Sequence, residues 1–234
     1  MTTPSRFPYG VTNQNKTSMY GQFKSMVPQV YHQYFDDFDT YLAGQWTITA
    51  TGAGTTALTD ADGGAILLTN AAADNDARFH QKVGEGFLPA SGKKVFFETR
   101  FTVSDATQSD WVIGLQVTDT TPLDVTDGMY FQKDDGDTNI DFYCSKDATT
   151  GRSTTTAWTT ASAAATYMKL GFYFDGVRYI TLWKDGVETA TVDLSTTLAT
   201  YLPDTELTIS FGIQNGEAVA KTMTVDYIFA AMER

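Results

Sequence analysis

An acidic stretch at 133–141, KDDGDTNID, carries residue types that could bind a metal ion. Four oxygen-bearing side chains alternate along it: Asp135, Asp137, Asn139 and Asp141. Carboxylate and amide oxygens are the ligands that calcium prefers. An EF-hand loop beginning at Asp135 would need glycine at its sixth position and glutamate at its twelfth, where this chain has Ile140 and Lys146. Two interpretations stay open, a looser calcium site and a solvated hairpin turn at Asp135-Gly136.

Glycoside cleavage needs two carboxyl groups, one as proton donor and one as nucleophile or base. Hydrolases of the laminarinase type carry them on one strand as Glu-x-Asp-x-x-Glu, and this chain lacks that pattern. The nearest approach is VETATVD, in which Glu188 and Asp193 are five positions apart and face opposite sides of a strand. A glycoside hydrolase would have to bring its carboxylates together from different strands.

Other catalytic arrangements are also missing from the sequence. The chain has only two histidines, His32 and His80, and no Gly-x-Ser-x-Gly elbow, zinc-ligand spacing, phosphate loop or dinucleotide fingerprint. His80 lies in an expected strand, where we predict a surface position. The single cysteine, Cys144, is predicted to be a small buried residue. We therefore predict that the chain is not an enzyme and has no cofactor, calcium excepted.

Tryptophan side chains offer a different function, the stacking of sugar rings on an aromatic surface. Trp111, Trp158 and Trp183 are the candidates for such a platform, whereas Trp46 is expected in the core. Aromatic residues make up 13% of the chain, so most of them must fill its interior. A glycan-binding adhesin is thus one alternative function.

Charge and hydropathy exclude two classes of partner. The formal net charge is −12 at pH 7, which argues against nucleic acid, because binding phosphates needs clustered Lys and Arg. No apolar run reaches the length of a membrane span, and the amino-terminal residues lack the pattern of a secretory signal. We expect a protein made in a reducing cytoplasm that contacts neither membrane nor nucleic acid.

Short apolar and aromatic runs separated by Gly, Asp, Asn or Thr turns fill the chain from residue 34 to residue 234. Eleven such runs predict an all-β fold, a two-sheet antiparallel jelly-roll sandwich. Asp-Gly pairs at 175–176 and 185–186 mark hairpin turns, and between them Ile180 and Leu182 share one face, expected to be core. A helical turn is expected only near 195–203.

Residues 1–33 have a different composition, with three of the six prolines and no strand or helix periodicity. Such a segment cannot form its own core, yet it is rich in aromatic side chains, which suggests docking on a partner. The predicted partner-binding residues are Phe7, Tyr9, Tyr20, Phe23, Tyr31 and Tyr34. We predict an extended amino-terminal arm at 1–33 and a sandwich domain at 34–234.

Several stretches carry a resemblance to known families. The segment LGFYFDGVRYITLWKDGVETATVDL resembles the hairpins of concanavalin-like and laminin-G-like jelly rolls. The stretches SRFPYGVTN, FDDFDTYLAGQWTIT, SDATQSDWVIGLQVTDTTPLDVTDGMYFQKDDGDTNIDF and FGIQNGEAVAKTMTVDYIFAAMER resemble structural proteins of tailed bacteriophages, across nearly the whole chain.

The phage resemblance implies a place in the virion and assigns no catalytic residues. It favours a capsid decoration or cement protein on the outer capsid surface, binding the major capsid protein through its arm, with a homotrimer expected from what such proteins commonly form. A protein that binds only the assembled lattice stabilises it by mass action. The alternative is a glycan-binding adhesin on a head fibre or tail, and glycoside hydrolysis is the least favoured function.

Overall fold

A computed structural model describes residues 30–61, 63–148, 155–158 and 164–234, with 155–158 given as backbone only. The described part is an all-β fold with one short α-helix, α1 (Leu198–Tyr201). The strands are β1 (Tyr31–Asp36), β2 (Trp46–Thr51), β3 (Thr55–Thr59), β4 (Ala65–Thr69), β5 (Ala77–Lys82), β6 (Val95–Val103), β7 (Ser109–Gln116), β8 (Gly128–Lys133), β9 (Ile140–Ser145), β10 (Thr155–Trp158), β11 (Met168–Phe174), β12 (Tyr179–Lys184), β13 (Val187–Asp193), β14 (Thr208–Asn215) and β15 (Thr222–Glu233). A single 3₁₀ turn, Ala43–Gln45, precedes β2.

The strands form two antiparallel sheets packed face to face. The eight-stranded sheet has the order β13-β12-β11-β6-β15-β4-β3, and β1 adds to the free half of β15. The seven-stranded sheet has the order β10-β9-β8-β7-β14-β5-β2. The predicted jelly-roll sandwich is confirmed, as is the helical turn near residue 198.

β15 occupies the centre of the eight-stranded sheet. Along one edge it pairs with β6, and along the other it pairs first with β4, from Thr222 to Val225, and then with β1. β1 begins at Tyr31, so residues 31–33 lie within the sandwich, three positions ahead of the predicted boundary.

The space between the sheets is filled mainly by aromatic rings. Phe172 stacks on Phe97 at 5.4 Å between ring centroids and contacts Phe142 at 5.2 Å. Trp111 packs edge-on against Phe101 at 5.0 Å. Large rings bury much apolar area per residue, which suits a fold whose one cysteine is free and buried.

The β12–β13 hairpin has the turn that its Asp-Gly pair predicts. β12 ends at Lys184 and β13 begins at Val187, so Asp185 and Gly186 form a two-residue turn with φ of 52° and 79°. Both values lie in the left-handed region that such turns require. The predicted core face of the strand between the two Asp-Gly pairs is also confirmed, because Ile180 and Leu182 are fully buried in the core.

His80 lies in the core, which corrects the surface position expected from the sequence. Its ring is fully buried and stacks on Phe211 at 5.4 Å between centroids. Nε2 lies 3.3 Å from the hydroxyl of Tyr41 and 3.2 Å from that of Thr56. Burial, with a smaller effect from the charge of Arg78, lowers the pKa of His80 to about 3. The ring is therefore neutral in the folded protein at ordinary pH.

This low pKa predicts an acid-dependent loss of stability. Because the unfolded chain binds a proton at His80 near its ordinary pKa, its contribution to stability is present above about pH 6.5 and lost as the pH falls toward 3. Between about pH 7 and pH 5 the loss should be about 2 kcal/mol. Urea unfolding at the two pH values measures it, and His80→Gln should show a correspondingly smaller loss. Burial and the charge of Arg234 also lower the pKa of the half-buried His32, but less than for His80, so His32→Gln should reduce the loss by a smaller amount than His80→Gln. Equal losses in all three proteins would contradict the prediction.

Candidate functional site

The outer face of the seven-stranded sheet gathers rings, amides and carboxylates. Strand register places these side chains on it: Thr49, Thr51, Ala77, Phe79, Asp110, Val112, Tyr130, Gln132, Asp141, Tyr143 and Gln214. Glycines lie between larger residues on neighbouring strands at two places: Gly212 pairs with Phe79 and Val112, and Gly114 pairs with Ser210 and Tyr130. At Gly212 an added Cβ would lie 2.4 Å from the ring of Phe79, and at Gly114 it would lie 2.5 Å from Cβ of Tyr130. The missing side chains leave the space that Phe79 and Tyr130 occupy on this face.

A loop of residues 117–127, here called the covering loop, crosses this face. The amide of Val117 donates to the carbonyl of Asp127 at 3.0 Å, which closes the ends of the loop. Gln81 fastens it to the sheet, because its side-chain nitrogen donates to the Val117 carbonyl at 3.1 Å and its oxygen accepts from the amide of Asp119 at 2.9 Å. Leu123 and Val125 pack against the rings beneath, so only part of the face is open to solvent.

An open groove of about 240 Å³ remains between the covering loop and the ends of β2 and β5. Its lining consists of Thr49, Thr51, Ala77, Phe79, Thr120, Thr121, Pro122, Leu123, Asp124 and Gln214. Hydroxyl, carboxylate and amide groups thus converge on a shallow space with an apolar floor. Polar groups placed in this way can hold the hydroxyls of a small polar ligand.

A carboxyl group with a raised pKa lies beside the groove. Asp110 pairs in register with Gln214, which lines the groove, and its Oδ1 accepts a hydrogen bond from the amide of Asp135 at 2.6 Å. Burial raises the pKa of the Asp110 carboxyl, and the charges of Asp135 and Asp134 raise it further. A carboxyl group that keeps its proton to higher pH is the type that acts as a general acid.

Asp141 is on the same face but far from Asp110. Two strand spacings and two residues separate their positions, which places their Cα atoms about 12 Å apart. Asp124, which reaches the groove from the covering loop, is the acidic side chain nearest in the fold to the open space.

The acidic hairpin 133–141 forms a turn and does not gather three carboxylates among the residues described. Asp137 Oδ1 accepts hydrogen bonds from the amides of Thr138 and Asn139 at 2.6 and 3.0 Å, and Asn139 Nδ2 donates to its Oδ2. Asp141 lies in β9, outside the turn. The carboxylate of Asp137 thus accepts hydrogen bonds within its own loop, as the hairpin-turn interpretation expects, and calcium binding by Asp135, Asp137, Asn139 and Asp141 stays a prediction.

Two of the three tryptophans expected to stack on sugars are buried. Trp111 is fully buried between the sheets, and Trp183 is 2% exposed in a cluster with Phe96, Tyr173 and Tyr31 on the outer face of the eight-stranded sheet. Neither can serve as an exposed platform, which corrects those two candidates. The Trp158 side chain lies outside the described residues. Trp46 is buried in the core, as expected.

The predicted partner-binding aromatics divide into two groups. Phe7, Tyr9, Tyr20 and Phe23 lie outside the described residues. Tyr31 and Tyr34 belong to β1 and are held by their own sheet. Tyr31 is 5% exposed and donates to Glu233 Oε1 at 3.3 Å, and Tyr34 donates to Asp36 Oδ2 at 2.8 Å.

Comparisons with known proteins identify the fold. No protein-family model and no curated protein matches the chain. Solved structures do match: Bacillus licheniformis β-glucanase has a TM-score of 0.59 at 13% identity, covering 85% of this chain and 97% of its own. The Crh5 transglycosylase in complex with NAG matches with a TM-score of 0.58 at 18% identity, covering 85% of this chain and 83% of its own. Peanut lectin matches with a TM-score of 0.55 at 12% identity, covering 86% of this chain and 97% of its own. The chain thus has the concanavalin-like jelly-roll fold.

These neighbours contradict the prediction that the chain is not an enzyme. Two of the three are a glucanase and a transglycosylase, so enzymes occur on this architecture. The prediction rested on the absence of sequence motifs, but a fold can assemble carboxyls from separate strands and loops without any such motif. None of the three is named as a virion protein, so the phage resemblance remains a prediction.

Within the described part of the chain, no helix has the length and apolarity to cross a bilayer. The prediction that the protein has no membrane partner stays untested by this observation.

The raised pKa of Asp110 predicts a stabilising substitution. The pKa of the Asp110 carboxyl is higher in the folded state than in the unfolded state. The free energy of unfolding therefore falls as the pH rises from the unfolded pKa to the folded pKa. At neutral pH the ionised carboxylate destabilises the folded protein. Asp110→Asn should raise Tm at about pH 7, and the gain should vanish below about pH 4. Thermal unfolding across pH measures both effects.

Asp137→Asn is the opposite control. Hydrogen bonds from Asn139 and Thr138 lower the pKa of Asp137, so this substitution should reduce Tm at neutral pH. A fall in Tm for Asp110→Asn at neutral pH would contradict the prediction.

Proposed function

We propose that this protein binds a glycan in the groove on the outer face of its seven-stranded sheet. The observation that carries the proposal is the convergence of hydroxyl, amide and carboxylate groups from β2, β14 and the covering loop on one open space. Two of the neighbours support it through their names, a β-glucanase and a complex with NAG.

The chemistry of the lining suits sugar hydroxyls. Thr49 and Thr51 are alternate residues of β2 and face the groove together, and Gln214 and Asp124 lie across from them. Each hydroxyl can donate and accept, the amide can do both, and the carboxylate accepts only. Phe79 is 4% exposed, so it forms a floor beneath the ligand rather than a stacking platform.

The size of the groove favours a short ligand. Its volume of about 240 Å³ lies below the roughly 300–1,000 Å³ common for ligand pockets. Leu123 and Val125 of the covering loop occupy the part of the face into which the groove would otherwise continue. A terminal sugar unit fits this space better than an extended polysaccharide.

A glycan array probed with the full chain identifies ligands, and calorimetry then measures affinity. Combining Thr51→Val with Asp124→Asn should weaken binding at least tenfold, because each lost hydrogen bond to a polar ligand costs about 1 kcal/mol or more. Thr191→Val, an exposed threonine of β13 on the other sheet, is the matched control and should bind normally. Failure of the unsubstituted chain to bind any glycan, or equal affinity of all variants, would contradict the proposal.

Analysis of the glycan after incubation with the protein distinguishes binding from turnover. Products with new reducing ends or unsaturated sugars, lost in Asp110→Asn, would assign a cleavage reaction to the groove. Bound glycan recovered intact would assign binding alone.

We infer a second candidate function, a capsid decoration protein, from the sequence resemblance to tailed-phage structural proteins. Residues 1–29 precede the described part and carry four of the six aromatics predicted to bind a partner. They would anchor the protein on the major capsid protein at the outer surface of the particle, as a homotrimer. The net charge of −12 suits an exterior that must not aggregate.

Capsids purified without this protein test the second candidate. The full chain should bind them and raise their melting temperature, because it binds only the assembled lattice. A variant with serine at positions 7, 9, 20 and 23 should lose both effects while keeping its own Tm. Light scattering of the free protein tests the trimer. Absence of binding by the full chain would contradict this function.

A further inference from the structure

Three carboxylates from separate segments meet at one end of the seven-stranded sheet. Asp127 ends the covering loop, Asp147 follows β9, and Asp204 lies between α1 and β14. One carboxylate oxygen of each lies within 4.8 Å of the other two. Like charges at this distance repel, so the arrangement needs a compensating positive charge.

Asp127 is the buried member of this acidic triad. The residue is 5% exposed, and its Oδ2 accepts one long hydrogen bond, from the amide of Asp147 at 3.3 Å. Its Oδ1 is fully buried with no hydrogen-bond partner among the described residues. A buried carboxylate oxygen without a partner is costly, and an ion is one of the few groups that can satisfy it.

Lys146 neutralises part of the triad. Its Nζ lies 2.5 Å from Asp204 Oδ2, and the Asp204 side chain is 59% exposed. The Lys146 side chain is 22% exposed, and Asp127 Oδ1 remains without a hydrogen-bond partner among the described residues. One positive charge against three carboxylates leaves a net charge of −2, which a divalent cation would neutralise.

We propose that Asp127, Asp147 and Asp204 bind a divalent cation, with calcium as the preferred ion. The triad supplies oxygen atoms only, which suits a hard cation and disfavours zinc, whose usual ligands are nitrogen and sulfur. Calcium accepts six to eight oxygens in flexible geometry, so three carboxylates, some bidentate, and waters on the exposed side can complete its shell. Magnesium needs a closer octahedral set.

The cation would join three segments far apart in sequence. It would fix the end of the covering loop to the turn after β9 and to the segment after α1. The groove uses the opposite part of the covering loop, from Thr120 to Asp124, so the cation site does not depend on the proposed glycan.

Calcium titration of the chelator-treated full chain tests this site. Calorimetry should show one site, and calcium at about 100 times its Kd should raise Tm by roughly 5–10 °C. Magnesium at the same concentration should give a smaller shift. Hydrogen exchange in residues 117–127 should slow on adding calcium.

Three variants assign the site. Asp127→Asn should abolish the calcium shift and, with chelator present, keep or raise Tm, because it removes a buried charge. Lys146→Met should tighten calcium binding, since it removes a competing cation. Asp137→Asn, in the acidic hairpin, is the matched control and should leave the calcium shift unchanged.

Other results would overturn the site. An unchanged Tm of the unsubstituted chain on adding calcium would overturn it. A calcium-induced Tm shift of undiminished size in Asp127→Asn would also overturn it. Weaker calcium binding by Lys146→Met would also do so, since it would mark the lysine as a structural partner rather than a competitor.

Discussion

The whole sandwich depends on β15, the strand that holds the eight-stranded sheet together. Its twelve residues bond to β6 along one edge and to β4 and then β1 along the other. Met223, Val225 and Ile228 from the same strand are fully buried against the second sheet. Because β1, β4 and β6 all lie more than 100 residues before β15, every pairing along the two edges of this strand is long-range in sequence, a feature of slowly folding β proteins.

The second sheet uses its two faces differently, and that difference creates the candidate site. Its inner face meets the core through rings such as Phe211 and Phe142, whereas its outer face is partly hidden by the covering loop. Gln81 holds this loop with hydrogen bonds from a fully buried side chain. The groove therefore has one wall made of rigid strand and one wall made of anchored loop, a preorganised arrangement that lowers the entropic cost of binding.

Local patterning predicts strands well here and predicts exposure poorly. Alternation correctly assigned Ile180 and Leu182 to the core, and the Asp185-Gly186 turn followed from residue type alone. Alternation also placed Trp183 on the opposite face, but it could not show that this face is covered as well. The surface position predicted for His80 was wrong for a related reason, since the residues that cover it, Phe211 and Tyr41, come from distant segments of the chain. The acidic triad shows the same limit, because its members lie 20 and 57 residues apart along the chain and only the tertiary fold brings them together.

What separates a binding site from a cleavage site on this architecture is the placement of carboxyl groups relative to an open cleft. The raised pKa of Asp110 is one requirement for acid catalysis, and a second carboxyl within reach is the other. Asp141 lies two strands away from Asp110 on the same face, and Asp124 reaches the groove from the covering loop. A catalytic pair built from one strand and one loop would depend on how firmly the loop is held. The anchoring of residues 117–127, by Gln81 at one end and by a cation at Asp127 at the other, therefore controls both the length of the groove and the chemistry open to it.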